Sequence, residues 1–401
     1  MSDNLLVQPS EYDLDYIKIT SHQGVTVNLK VVFQELDIYT SLFGKPMTAA
    51  LLLTDANNLP NNLPILGGEA VEIRYKTAGR SSYRTLNFVA SSVGDRHPVR
   101  GEALAYWLNL VTPEAYRDAS VCVSQAFTGV YSDLVKKIPA LLGSDKPVEV
   151  SPSVGLTTFI SPQWSPMKVA GFMAGRATDM DSSPFYFWED TNGFHFKSLA
   201  HMYKQESVRE YFYEPNDQTD ERGQRDMVKK FLNVERMEIT KSNDKLKQNQ
   251  SGMFEQELVT FDLRSKGLGN VMCKASNAGV DKYAPFDDQA GKRAKVGFTL
   301  TKPDQSHVSL FQRTSSRHFL GNTKILAVVA GDDELTNGQI VDFKLPSHEP
   351  QGGEKLKEDR LLSGRWLITG MKQTFSKQQY KMALEFSKDS FGSDPNAKNP
   401  E

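Results

Sequence analysis

Cysteine is nearly absent from this 401-residue chain, with Cys122 and Cys273 the only two. They lie far apart and have no companions, so they offer no disulfide framework of the kind that stabilises small secreted folds; they read as buried thiols rather than reactive ones. Charge of one sign is lacking too. The 47 basic and 49 acidic groups leave a formal net charge of -2, which gives no bulk pull toward nucleic acid or a membrane surface. No run approaches the ~18 apolar residues that a spanning helix needs. The first residues, with Asp3 and Glu11, lack the basic segment and apolar stretch of a signal peptide. These absences predict assembly in a cytoplasm, no specific nucleic-acid binding and no direct membrane insertion.

What is present is the composition of a globular protein, 39% hydrophobic and 24% charged, long enough for about two to four domains. Period-two alternation marks half-buried strands near the start: Val25, Val27, Leu29 and Val31; Met47, Ala49, Leu51 and Leu53; Val71, Ile73 and Tyr75; Leu86 and Phe88. The stretch Asn57 to Pro64 and the Gly67-Gly68 pair supply turn chemistry. Asp37 to Gly44 reads as a short helical turn closed by glycine. The spacing predicts a first β-barrel or sandwich domain over 1–116.

From Ser124 to Leu142 the period changes. Phe127, Val130, Tyr131, Leu134, Val135, Ile138 and Leu141 fall on one face of an amphipathic helix, which Pro139 kinks or ends. A second helix starts at Ser165-Pro166, an N-cap followed by proline at the first helical position, and buries Val169, Ala170, Met173 and Ala177. Two aromatic runs, 185–196, meet at Asn192-Gly193 and predict a hairpin. Residues 117–205 thus form an α+β insertion with two helices and an aromatic hairpin. A polar connection over 205–250 holds one strand, Phe231 to Ile239, and 251–319 reads as an inserted irregular domain. Clear strands return around Ile325, Ile340, Trp366 and Tyr380, the last two joined by a turn at 376–379, so 206–250 and 320–390 make a second barrel. Glu349 to Arg360 reads as an exposed loop and 391–401 as a flexible tail.

No constellation of reactive residues emerges. The seven histidines, His22, His97, His195, His201, His307, His318 and His348, are scattered without zinc-site spacing. Glu189 and Asp190 are adjacent carboxylates, but neighbours in a strand face opposite ways, so they read as solvated turn residues rather than a glycosidase pair. No Gly-x-Ser-x-Gly elbow occurs, and Gly321, Gly331 and Gly352-Gly353 form no phosphate loop. Gly291-Lys292-Arg293 with Lys295 reads as plain basic surface. Trp107, Trp164, Trp188 and Trp366 read as core aromatics rather than sugar-stacking platforms. The expectation is therefore no catalytic residue, no cofactor-binding residue and no metal.

Two stretches carry a resemblance. The first runs from Phe33 to Phe43, through Met47-Thr48-Ala49 and Asp55, to Leu63-Pro64-Ile65-Leu66-Gly67-Gly68-Glu69. The second comprises Ser165 to Ala170, the aromatic hairpin, and the closing segments Leu362 to Gly370 and Tyr380 to Ser390. In pattern and order the chain resembles the central baseplate hub proteins of contractile-tailed phages, a family related to the base of type VI secretion spikes; residues 245–320 match least. The resemblance implies a β-rich α+β fold with two similar tail-tube-like β-barrel domains and two inserted smaller α+β domains. It further implies a homotrimer joining the hexameric tail tube protein to the trimeric central spike protein, with the tape measure protein and the baseplate wedge or sheath-initiator proteins as further partners. The place implied is the tail baseplate of a virion. Alternatives are the spike-base subunit of a type VI-like or phage-derived injection particle and a tail-associated cell-wall hydrolase. A sequence ending at Glu401 without β-helical repeats is expected of a hub whose spike is separate.

Overall fold

The computed structural model describes residues 10–44, 46–56, 65–77, 82–99, 103–213, 231–241, 255–274, 295–299, 313–318, 320–346, 362–377 and 379–388, with 59, 63, 246 and 358–359 between them. Seven strands come first: β1 (Tyr12–Thr20), β2 (Thr26–Asn28), β3 (Phe33–Ser41), β4 (Thr48–Asp55), β5 (Ala70–Thr77), β6 (Arg84–Pro98) and β7 (Leu104–Val111). A mixed segment follows, with α1 (Pro113–Asp118), β8 (Ala126–Gly129), α2 (Tyr131–Val135), α3 (Ile138–Leu141), β9 (Val148–Val150) and β10 (Thr157–Ile160). It continues through α4 (Pro166–Arg176), β11 (Phe185–Asp190), β12 (Gly193–Ser198) and α5 (Leu199–Tyr203). Then come β13 (Ser207–Phe212), β14 (Arg236–Lys241), β15 (Glu255–Asp262), β16 (Gly267–Lys274) and β17 (Lys295–Thr299). The last strands are β18 (Thr323–Ala330), β19 (Ile340–Lys344), β20 (Gly364–Ser376) and β21 (Tyr380–Lys388).

Strands from both ends of the chain join in one 13-stranded sheet, in the order β14-β18-β21-β20-β3-β4-β7-β6-β5-β1-β2, with β19 paired to β20 and β13 to β19 as a branch. β3 is the seam. It pairs with β4 along one edge and with β20 along the other, from Ser41 opposite Gly370 to Ser376 opposite Glu35. Inward-facing residues of both halves enter one apolar core: Leu36, Ile38, Leu51, Tyr75, Phe88 and Tyr106 from the first, Ile325, Phe343, Trp366, Phe375, Leu384 and Phe386 from the second. At about 1.5–3 kcal/mol for each fully buried large aliphatic or Phe side chain, that shared layer is the main stabilising term.

The two closed barrels expected from the alternation are not what the strands make. Each strand has two hydrogen-bonding edges, and β3 and β20 spend one each on the other, so the path among the described residues runs on openly from one half into the next. Near the start of β1, Tyr380 N–H donates to Ser10 O (2.8 Å) and Tyr12 Oη donates to Ser376 O (2.5 Å), and the Tyr12 ring meets Phe375 edge-on at 5.3 Å. A close approach also shapes this end of the sheet. A Cβ on Gly331 would lie 2.0 Å from the Tyr380 ring, which is itself stacked on Phe375 at 4.2 Å.

Other expectations are corrected locally. Asp37 to Ser41 is strand, because Leu36, Ile38, Thr40 and Leu42 point inward in alternation while Tyr39 points out. The helix expected over 124–142 is β8 followed by the short α2 and α3: Gly129, at φ +149°, breaks the helical path, and Pro139 withholds an N–H. Its apolar face was nonetheless read correctly, since Phe127, Tyr131, Leu134, Val135 and Ile138 are buried with Val169, Met173, Phe185 and Phe196 in a second core. Helix α4 starts as expected, with Ser165 Oγ accepting from Lys168 N at 3.4 Å. In the aromatic hairpin Asp190 pairs with Gly193, so the two-residue turn is Thr191-Asn192. Val25 and Val31 are exposed and outside the strands. The polar connection holds a second strand, β13, and the described part of 251–319 is a three-stranded sheet, β16-β15-β17, followed by a helical stretch over 313–318. Most of the turn at Asn57 to Pro64, residues 214–230, the loop after Glu349, the Gly291 basic stretch, Gly352-Gly353, His307, His348, the Cys273 side chain and 391–401 lie outside the described residues.

Candidate functional site

β11 runs where the mixed segment meets the main sheet, and every one of its residues is buried, including Glu189 and Asp190. The expectation of solvated turn residues fails here because both carboxylates are buried, Glu189 among partners brought from elsewhere in the chain and Asp190 against its own hairpin. Glu189 Oε2 accepts from Thr112 Oγ1 (2.9 Å) and from the Met47 N–H (3.2 Å), while Oε1 faces Lys146 Nζ at 2.7 Å. Lys146 Nζ also reaches Glu114 Oε2 at 2.8 Å, and Ser144 Oγ donates to Glu114 Oε1 at 2.6 Å. Thr112 is at the same time the N-cap of α1, with its hydroxyl oxygen accepting from Ala115 N at 3.3 Å. One lysine thus ties β11 to the first turn of α1, and through Met47 to the start of β4.

Burial sets the electrostatics of this cluster. It pushes the Glu189 carboxyl up, against the pull of Lys146. It pushes Glu114 up as well, but hydrogen bonds from Lys146 and Ser144 outweigh it and hold that carboxyl below its ordinary value. Burial alone would lower Lys146; the two carboxylates reverse this and raise it.

Asp190 faces the other way, as alternation in a strand demands. Its Oδ1 accepts from Asn192 N at 2.7 Å and holds the turn. Its Oδ2 lies 2.9 Å from His195 Nε2, off the line that a hydrogen bond requires. His195 Nδ1 is 3.1 Å from Glu149 Oε2, Lys197 Nζ is 2.7 Å from Glu149 Oε1, and the imidazole stacks on Trp188 at 4.9 Å. Glu149 is held below the usual carboxylate range; burial opposes this, and Lys197 and His195 outweigh it. These side chains fasten β9, β11 and β12 together. Glu189 and Asp190 are both buried among these partners.

The remaining candidates are dispersed. His22, His97, His201 and His318 are exposed at separate places, and no group of three or more metal-capable side chains forms among the described residues. Cys122 is exposed, not buried. Trp188 and Trp366 are sealed in cores, whereas Trp107 and Trp164 are half-buried. No helix among the described residues is long and apolar enough to cross a membrane. Lys146 was missed by sequence reasoning, since nothing in the loop Ser144-Asp145-Lys146-Pro147 marks it as the partner of a strand 43 positions away.

What the outer surface offers is contact area. Beside the seam a hollow of about 390 Å³ is bounded by Tyr39, Pro46, Leu326, Met371, Lys372 and Glu385. Beyond Pro46 a groove of about 660 Å³ runs along Asp118, Trp164, Met167, Lys168 and Phe172. At the seam itself Asp37 is buried, accepting from Thr374 Oγ1 (2.7 Å) and facing Lys372 Nζ at 2.9 Å. Isolated apolar side chains, among them Val31 and Leu66, stand out at 88% and 82% exposure.

No family model and no curated protein matches this chain. Solved structures do. The tail protein from Neisseria meningitidis MC58 aligns over 94% of this chain and 97% of its own at 14% identity and a TM-score of 0.57. The 43 kDa tail protein of prophage MuSo2 from Shewanella oneidensis aligns over 94% and 98% at 11% identity and 0.55. A structure of the Francisella PdpA-VgrG complex aligns over 100% of this chain and 61% of that one at 9% identity and 0.50. At these identities the likeness is one of fold, a β-rich α+β architecture shared with these two tail proteins and the VgrG complex.

Proposed function

We propose that this protein is a structural, non-catalytic hub of a phage-type tail baseplate. In this reading it acts as a homotrimer that adapts the hexameric tail tube to the trimeric central spike and lines the channel for tape measure and DNA. It is assembled in the host cytoplasm and resides in the virion tail. The observation that carries the reading is the single sheet built from both chain ends, in a fold shared over nearly its full length with two tail proteins. A ring of such subunits calls for strand edges that pair across copies, because unpaired edges otherwise invite uncontrolled association. β2 and β14 end the path of the main sheet and are the edges assigned to that role. A channel of near-neutral chains would not hold a passing polyanion.

The fold likeness to the PdpA-VgrG complex, spanning this whole chain, favours a second reading, the base of a type VI-like injection spike. Native mass spectrometry of the purified protein tests both against an unassociated protein. A trimer is expected, and a stable monomer would overturn the adaptor. Copurification with tail tube protein or with a spike of the injection type separates the two readings. Charged substitutions along β2 and β14 are expected to abolish the trimer; trimers that persist refute the edge assignment.

A further inference from the structure

Three arginines converge where α4 ends and β11 begins. Arg313 is 5% exposed, and its Nη1 donates to Ala177 O at 3.2 Å, at the C-cap of α4. Its Nε is buried with no hydrogen-bond partner. Arg317, one helical turn on, donates from Nη2 to Phe185 O at 3.3 Å and lies 5.5 Å over the Tyr186 ring. Arg176, in the last turn of α4, stacks 4.5 Å over Phe172. Arg313 is buried, while Arg176 and Arg317 are exposed on either side.

A cation at the carbonyl end of a helix is ordinary, since it answers the partial negative charge there. One guanidinium does that. Three do more than the carbonyls of Ala177 and Phe185 require. Among the described residues no ion pair joins Arg313, Arg317 or Arg176 to a carboxylate. The acids of the intervening turn are committed elsewhere. Asp179 Oδ1 accepts from Asp181 N and Ser183 N, and Asp181 pairs with Lys204 at 2.8 Å. Burial pushes the Arg313 guanidinium down to about 10, and the charges of Arg317 and Arg176 push the same way, with Tyr131 opposing them. A buried charge with an orphaned donor and two like charges beside it is costly as it stands. Guanidinium groups satisfy phosphate and related oxyanions through paired N–H donors, and such an anion would answer both deficits.

We propose that Arg313, Arg317 and Arg176 form a site for a small oxyanion of the phosphate class at the C-terminal end of α4. The anion takes the free Nε–H of Arg313 and draws the exposed guanidiniums over it.

The test is thermal unfolding of the full chain in a non-coordinating buffer at constant ionic strength, with inorganic phosphate replacing chloride. A rise of about 3 °C is expected once phosphate reaches roughly a hundred times its dissociation constant. Sulfate giving a similar rise also supports the oxyanion site. Arg313→Met is expected to melt higher than wild type without phosphate and to lose the phosphate response, whereas a purely carbonyl-capping arginine predicts a lower melting temperature for the same variant. Should Arg313→Met fail to fold, Arg317→Gln, at an exposed position, decides the matter. It is expected to fold and to bind phosphate roughly tenfold more weakly by isothermal titration. No phosphate response in the wild type, or full binding by Arg317→Gln, overturns the proposal.

Discussion

The chain is joined to itself in two different ways, and the seam at β3–β20 and the junction at β11 divide the chemistry between them. At the seam a seven-residue backbone ladder lies over an apolar layer to which both halves contribute. The stabilisation is spread over many side chains, and no single one decides it. At the junction, buried carboxylates on β11 and α1 converge on one lysine, with Thr112, Ser144 and the Met47 amide completing the set. Apolar burial is additive and forgiving of direction; a buried charge needs its particular partner. The seam should therefore lose stability in proportion to volume removed, and the junction in proportion to charge left unpaired.

The largest effect is expected at the seam. Leu384→Ala in β21 removes a fully buried side chain from the shared core and should cost about 2–5 kcal/mol. Because both halves draw on that core, denaturant unfolding should still show one transition for β1–β7 and β18–β21 together. Two separated transitions would break the claim that the sheet is one unit. Next comes Lys146→Met, which strands Glu189 and Glu114 and should cost about 3 kcal/mol, toward the low end for a buried pair since the lysine is partly exposed. Hydrogen exchange sharpens this: in Lys146→Met the amides of β11 and α1 should lose protection ahead of those in β3 and β20. Adding Glu189→Gln and Glu114→Gln to that variant should restore most of the loss, which no seam substitution can be made to do by removing charge.

This contrast also explains what could be read in the sequence. Alternation at Met47 to Leu53, at Val71 to Tyr75 and through the closing strands identified inward faces correctly, because period two is a property of each strand alone. The pairing of β3 with β20 was not legible. Their residues lie more than three hundred positions apart, and nothing in either says which neighbour its free edge will take. Hence closed barrels were expected where an open path is found. Glu189 and Asp190 failed for a related reason. Glu189 reads as solvated until its cation is known, and Lys146 becomes its partner only once the hairpin is docked. Ser165-Pro166, by contrast, announces α4 through purely local chemistry. The two hollows beside Pro46 depend on tertiary packing throughout, and nothing local in the sequence marks them.

The pH dependence of the junction has a definite sign. Glu114 is held below its ordinary value in the folded chain, so its contribution is present above the unfolded carboxyl pKa and is lost as pH falls through the folded one. Glu189 is raised and works in the opposite sense, its contribution being present at low pH and lost as pH rises through the folded value. Subtracting Glu114→Gln from wild type isolates the first. The stability advantage of wild type should shrink as pH is lowered from about 6 to about 3, by about 1 kcal/mol, the size of a net charged hydrogen bond. An advantage independent of pH would mean that Glu114 is not ionised in the folded protein and that Lys146 serves Glu189 alone.

Val31 belongs to neither the seam nor the junction, and it gives the smallest effect on the folded chain. It follows β2, one of the two ends of the sheet path, and is 88% exposed, so Val31→Ser gives up almost no burial within one subunit and should leave the melting of an isolated chain within about 0.5 kcal/mol of wild type. Its value is that stability and association then separate. If β2 meets a second copy, the same substitution removes apolar area from that contact, and the fraction of trimer at low protein concentration should fall while the thermal transition of the dissociated chain stays in place. A trimer population that does not respond to Val31→Ser, measured over a dilution series, moves the subunit contact away from β2 and leaves β14 as the edge to test.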